Sequence, residues 1–177
     1  MDFSFAIPCF FVEVMRLDAA TITALVNSFG EALVSVSQSL GVSVTIDKAN
    51  VKPGVNASGS RLTASVGFVT SDVQGTVAVM INEDSFSQYV AAMSGGMLKP
   101  DVNDPVALSV IGEFANMVGG HATMKVSSER IDLTPPQLFV GHEIKAVSFQ
   151  GESVKSFTVP FKVKGNGMVF LVLAIHE

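Results

Sequence analysis

The chain has 177 residues, enough for one domain that buries roughly two-thirds of the surface its unfolded form would expose. Its apolar share of 48% is ordinary and its charged share of 15% is low, which points to a compact domain, with an oligomer interface as a further outlet for apolar surface, over disorder. A net charge of −5, with 11 Lys and Arg and no basic run, lacks the electrostatic footprint of a nucleic-acid binder, and a single cysteine, Cys9, excludes an intrachain disulfide framework and a cysteine-based zinc site.

In chain order, the apolar stretch from Phe3 to Met15 comes first. Pro8 and Glu13 interrupt it, it falls short of the ~20 residues a membrane span needs, and it has no basic region before it of the kind a signal peptide carries. Residues 1–16 therefore read as an N-terminal arm or extension: either an extra strand, or the product of a start placed ahead of a natural first residue at Met15. A reducing, cytoplasmic compartment and no membrane are expected.

From Leu17 to Leu40 the residues Ile22, Leu25, Val26, Phe29, Leu33, Val36 and Leu40 recur at helical spacing, and Gly41 follows as a stop. Three extended segments come next, Val42 to Val51, Arg61 to Thr70 and Gly75 to Asn82, the last two reading as a hairpin. A helix from Glu83 to Met93 closes this half before Gly95-Gly96 and the Pro100 to Pro105 link. A helix from Pro105 to about Lys125 then opens a second half, with extended stretches at Leu138 to Phe149, Ser156 to Val163 and Met168 to Ile175 and a tight turn at Gly165-Asn166-Gly167. The order helix, strand, strand, strand is read twice, in pseudo-repeats 17–97 and 103–177 of a single domain spanning 17–177. The expected fold is α/β (α+β): internally duplicated halves, a largely antiparallel sheet and long helices packed on it.

On the second-half helix, Ala107, Ile111, Phe114 and Val118 share one face and form the expected buried stripe, while Ser109, Glu113, Asn116 and Gly120 project on the other side. Gly112, Gly119 and Gly120 flank the polar pair although a mid-helix glycine costs about 1 kcal/mol relative to alanine. A shallow face made for close approach by a partner, and a plain polar face with glycines at a helix end, both fit that pattern. Glu113 and Asn116 stand at i and i+3, about 5–6 Å apart at Cβ, so both reach one external site. A carboxylate with a carboxamide suits pairing with a cation while orienting a water, and it does not suit glycosidase chemistry, which needs two carboxyl groups.

The stretch Ser109-Val-Ile-Gly-Glu113-Phe-Ala-Asn116-Met-Val-Gly119-Gly120 resembles the signature helix of the CheC/CheX/FliY chemotaxis phosphatases, in which Asp or Ser precedes Glu-x-x-Asn. The resemblance runs from about Leu17 to the C-terminus, through Val26-Asn-Ser-Phe-Gly-Glu31-Ala32, Asp72-Val-Gln-Gly-Thr-Val-Ala-Val79, Ala91-Ala-Met-Ser-Gly95 and Leu133-Thr-Pro-Pro-Gln-Leu-Phe-Val-Gly141. It implies dephosphorylation of the aspartyl phosphate of a CheY-type response regulator. Asn116 would orient the attacking water and Glu113 would pair with the regulator's active-site lysine. Ser109, Gly112, Gly119 and Gly120 would form the partner-binding helix face. No cofactor and no metal ligand would be required of this chain, Mg²⁺ being supplied by the regulator.

Aligned on this stretch, the first helix offers Asn27-Ser-Phe-Gly-Glu31-Ala-Leu-Val34. The carboxylate returns as Glu31, but Val34 in place of the carboxamide cannot hold a water, so this site reads as vestigial. One complete pair, in the second half, is more similar to the CheX branch than to CheC or FliY, and the resemblance also implies a homodimer. His121, His142 and His176 fall on different predicted elements without a His-x-x-x-His pair and read as surface or structural residues. Two non-catalytic alternatives stay open on sequence grounds: a module that binds a regulator or flagellar component without hydrolysis, and a dimerisation domain in chemotaxis or flagellar signalling.

Overall fold

The computed structural model describes residues 19–70, 73–125, 131–142, 144 and 154–176. The expected N-terminal arm, 1–16, lies outside them. The first helix, α1 (Ala19–Ser39), buries Ile22, Leu25, Phe29, Leu33 and Val36, the i, i+3, i+4, i+7 stripe read from its sequence. After it come β1 (Val44–Ile46), a single 3₁₀ turn at Lys48–Asn50, β2 (Lys52–Pro53) and the hairpin strands β3 (Leu62–Val69) and β4 (Gln74–Ile81). Helix α2 (Glu83–Ser94) starts where the Asn82 side chain accepts the Ser85 N–H at 3.0 Å, and it ends on Gly95 in the left-handed conformation, φ 61°.

The second half opens with α3 (Pro105–Lys125), whose first turn is prepared by adjacent residues. Asp104 accepts the Val106 N–H at 2.9 Å as N-cap, and Pro105 fills the first helical position, where a missing N–H costs nothing. β5 (Asp132–Leu133), β6 (Gln137–Val140), β7 (Val154–Val163) and β8 (Met168–His176) complete the chain. No described helix is long and apolar enough to cross a membrane.

Among the described residues eight strands form one sheet in the order β1-β7-β8-β4-β3-β5, every pairing antiparallel, with β2 also on β7 and β6 also on β3. The order is symmetric under exchange of the halves. β4 and β8 pair at the centre, from Gln74 with His176 to Ile81 with Val169, and each half sends its short first strands across to the long strand of the other. Neither half can close its own edge, so the two fold as one body. On the helix side of the sheet, Phe29 and Leu33 of α1 and Ile111 and Phe114 of α3 join Val66, Phe68, Val79, Leu171 and Phe161 in one core. On the opposite side Ala78, Met80, Phe170 and Val172 form a smaller cluster with Ala57. β4 and β8 are apolar on both faces, which is why their sequences read as continuous apolar runs and not as alternations.

The expected strand from Val42 to Val51 is broken, and the cause lies more than a hundred residues away. Pro160 in β7 has no N–H to give β1 or β2, so the neighbouring chain leaves the ladder there: Asp47 N–H donates to the Pro160 carbonyl at 2.9 Å and the 3₁₀ turn follows. Asp47 also holds Lys162 at 3.1 Å and accepts from Asn50 at 3.0 Å, and these contacts draw its carboxyl below the ordinary aspartate range, the Asn50 hydrogen bond first. The other half shows the matching break opposite Gly67, whose carbonyl accepts Thr134 N–H at 2.9 Å, with Pro135-Pro136 carrying the chain from β5 to β6. The expected strand from Leu138 to Phe149 covers Gln137–Val140 here, and residues 145–149 lie outside the described ones. β5 is an additional element; two residues are too few for a period-2 pattern.

Candidate functional site

α3 meets its surroundings along three separate stripes. Ala107, Ile111, Phe114 and Val118 are fully buried in the core, as their spacing predicts. Tyr89 of α2 packs on Phe114, ring centroids 4.2 Å apart, and fixes the rotation of α3 about its own axis. That rotation turns Glu113 out to solvent and leaves Asn116 half-buried beside it. Ser109 is exposed on the same face, but its Oγ donates to the Val106 carbonyl at 2.7 Å, so its proton is spent on its own helix.

The three glycines divide. Gly112 and Gly119, two turns apart, are buried on the flank that β5 and β6 cover. A Cβ on Gly112 would lie 3.6 Å from Pro136 and 3.7 Å from Leu138; one on Gly119 would lie 2.9 Å from Leu133, closer than side chains tolerate. Their small size lets α3 settle against the Leu133–Leu138 segment. As clearings for a partner beside the polar pair they are misread, because the sheet edge already occupies the space they leave. Gly120 is different. It sits on the Glu113 and Asn116 face, and among the described residues nothing outside its own helix turns comes within 4 Å of where its Cβ would be.

The equivalent face of α1 carries Glu31, exposed, and Val34, half-buried and packed against the core. It opens into a groove of about 610 Å³ whose lining includes Gly30, Glu31, Val34, Ile46, Val51 and Phe161. Glu31 thus keeps the position of Glu113, but its neighbour one turn on is an apolar contact and not a carboxamide. Structure brings Ser109, Glu113, Asn116 and Gly120 together on one face, and it sets Gly112 and Gly119 on another and Glu31 and Val34 on a separate helix. Among the described residues no three His, Cys, Asp or Glu side chains gather as a metal site would require. Two further residues share the Glu113 face: Val106, 57% exposed, and Met124, whose place near a helix end suggests core filling but which stands 72% exposed. Their spacing from Glu113, seven residues before and eleven after, was the available signal.

The family model described as chemotaxis phosphatase CheX matches residues 62–162, more than half the chain and a span that includes Glu113 and Asn116. The chain is 30% identical over 135 residues to the CheY-P phosphatase CheX of Thermotoga maritima, an alignment covering 75% of this chain and 83% of that protein. Among solved structures, a CheC-like superfamily protein from a Shewanella species superposes with a TM-score of 0.72 at 17% identity, over 87% of this chain and 98% of that one. A chain from the CheX–CheY–BeF₃–Mg²⁺ complex of Borrelia burgdorferi superposes with a TM-score of 0.65 at 18% identity, over 86% and 98% respectively. The structural likenesses show a shared fold.

Proposed function

Since the chain belongs to the CheX family of chemotaxis phosphatases, we propose that it dephosphorylates the aspartyl phosphate of a CheY-type response regulator through Glu113 and Asn116. The observation that carries the residue assignment is their pairing on one open face of α3: a carboxylate and a carboxamide at i and i+3, rotated outward by a helix whose other two sides are packed. An aspartyl phosphate is an acyl phosphate, so its P–O bond to the carboxyl carbon's oxygen is the one that breaks. Water attacks phosphorus in line, the regulator's aspartate leaves as a carboxylate, and the water's proton departs with inorganic phosphate.

In this reading the Asn116 carboxamide accepts from and orients the attacking water, and the Glu113 carboxylate pairs with the regulator's active-site lysine and so sets where the phosphate lies relative to Asn116. The rate comes from positioning, with no covalent phospho-enzyme. Mg²⁺ enters as part of the phosphorylated regulator, and the site of action is the cytoplasm. The test is release of inorganic phosphate from a phosphorylated CheY-type receiver with and without this protein. Acceleration by the native chain, lost in Asn116→Ala, supports the reading; receiver binding without acceleration makes the domain a non-catalytic docking module.

A further inference from the structure

Gly120 is the glycine of α3 that the fold does not explain. Gly112 and Gly119 make room for β5 and β6, but an alanine side chain at 120 would meet, among the described residues, nothing within 4 Å beyond its chain neighbours and the backbone of its own helix turns. Neither does the backbone call for glycine: Gly120 is not among the residues of positive φ, and the helix runs on through Lys125, so this is no C-terminal cap. Its carbonyl is occupied, accepting from Thr123 Oγ1 at 2.8 Å. Glycine is among the poorest helix formers and alanine the best, so the position gives up helix stability for no internal return. Such a cost is expected where something outside the molecule needs the space.

The place is informative. Gly120 lies four residues after Asn116 and seven after Glu113, on the same face and next in line. One turn further Met124 stands 72% exposed, and at the other end of the face Val106 is 57% exposed. Isolated exposed apolar side chains are ordinary on a protein surface. Here they bracket the polar pair along one helical stripe, in the sequence Val106, Ser109, Glu113, Asn116, Gly120, Met124. The stripe therefore offers apolar contacts at its ends, charge and a carboxamide in the middle, and bare backbone between Asn116 and Met124. Met is unbranched and polarizable, suited to packing against a surface it meets only transiently.

We propose that Gly120 is the point where the response regulator's backbone comes closest to α3, and that Met124 is the apolar anchor just beyond it, together setting how deeply Asn116 is inserted beside the phosphate. This rests on the assignment of Glu113 and Asn116 as the working pair, to which it adds two positioning residues. A side chain at 120 would hold the regulator away from Asn116, and a displacement of about 1 Å at a positioned group can cost on the order of 10²-fold in rate. Removing Met124 takes away contact area without altering the approach.

Gly120→Ala, Gly120→Leu, Met124→Ala and Asn116→Ala are compared by thermal unfolding, by steady-state phosphate release from a phosphorylated CheY-type receiver, and by binding to the same receiver loaded with BeF₃⁻ and Mg²⁺. Gly120→Ala is expected to raise Tm by about 2–4 °C and yet lower kcat/KM by about 10- to 100-fold. Gly120→Leu is expected to abolish detectable binding while staying folded, and Met124→Ala to raise KM about three- to tenfold with kcat nearly unchanged. A fall in Tm for Gly120→Ala would mean the fold itself holds the glycine and would overturn the proposal. So would full activity in Gly120→Leu alongside an inactive Asn116→Ala, an outcome that leaves the working pair standing. Full activity in Asn116→Ala would instead remove the assignment on which both rest.

Discussion

Tyr89→Phe tests what holds the working helix in its rotation. Tyr89 joins all three helices: it extends from α2, its ring lies on Phe114 of α3, and its hydroxyl is 2.7 Å from Ser37 Oγ on α1, with Tyr89, Phe114 and Ser37 all fully buried. Removing one end of a buried hydrogen bond strands the other, at about 1–3 kcal/mol, whereas removing both ends forfeits only the net bond of about 1 kcal/mol. Tyr89→Phe and Ser37→Ala should each lower stability in denaturant unfolding, and the double variant should cost less than their sum by about 1–2 kcal/mol. Alkaline pH offers an independent readout. Burial, opposed in part by the Ser37 hydrogen bond, pushes the Tyr89 hydroxyl up to about 12 from its usual 10.0. The unfolded chain therefore loses this proton first. The stabilisation is complete below pH 10 and is lost as pH rises toward 12, by about 1.4 kcal/mol per unit, and Tyr89→Phe should lack that component. Tyr89 is the only tyrosine and there is no tryptophan, so phenolate absorbance reads this one group. A folded protein whose phenol titrates near 10, or strictly additive variants, would refute the reasoning. Turnover measured well below Tm should be close to native in Tyr89→Phe, since the ring that positions Phe114 is kept.

Asn116→Ala should lower turnover by about 10²-fold or more while receiver binding largely survives, because the group that aligns water goes and the rest of the interface stays. Glu113→Ala should weaken docking as well, since it strips the partner from a lysine buried on binding, a loss of about 2–5 kcal/mol seen directly in receiver affinity. Glu31→Ala should change neither quantity; damage equal to that of Asn116→Ala, in variants with native-like Tm, would contradict a single-site protein. The chain should form a homodimer through the β6 edge, where Gln137 to Val140 are all exposed, and Phe139→Lys should shift it toward monomer; a monomeric native mass by sedimentation at micromolar concentration would count against this.

The parts of the fold legible from sequence are those where burial follows a local period. The buried stripe of α3 is one: Ala107, Ile111, Phe114 and Val118 are spaced by helix geometry and all reach the same core. Its polar face was legible for the same reason: Ser109, Glu113, Asn116 and Gly120 share one side of the helix. Which segment covers a helix flank is a tertiary matter, and here the local pattern misled. Gly112 and Gly119 look like Gly120 in sequence, yet their neighbours are Leu133, Pro136 and Leu138, brought there by pairing of β5 and β6 with a strand of the first half. The break between β1 and β2 is of the same kind, set by a proline in β7 that no window around Asp47 contains. The Tyr89 to Ser37 bond joins residues 52 apart whose types carry no pairing signal.

The near-symmetry of the sheet also lets the two long helices be compared position by position. α1 and α3 lie on the same side of the sheet, and each presents a glutamate just after a buried glycine, Gly30 before Glu31 and Gly112 before Glu113. On α3 the short strands β5 and β6 close against the glycine flank and leave the next stripe open to solvent. On α1 the corresponding crossing segment, from β1 through the 3₁₀ turn, brings Ile46 and Val51 to the lining of a groove that also includes Phe161. Val34 packs against the core there, although Asn27, Glu31, Ser35, Gln38 and Lys48 line the same groove, and a carboxamide at 34 would forfeit the core contact that valine makes. The two halves each present an exposed glutamate on a helix, but only the second follows it, three residues on, with a polar side chain: Asn116 and Val34 are both half-buried. In the one-site reading proposed above, turnover would belong to α3 alone, and position 34 on α1 would serve packing.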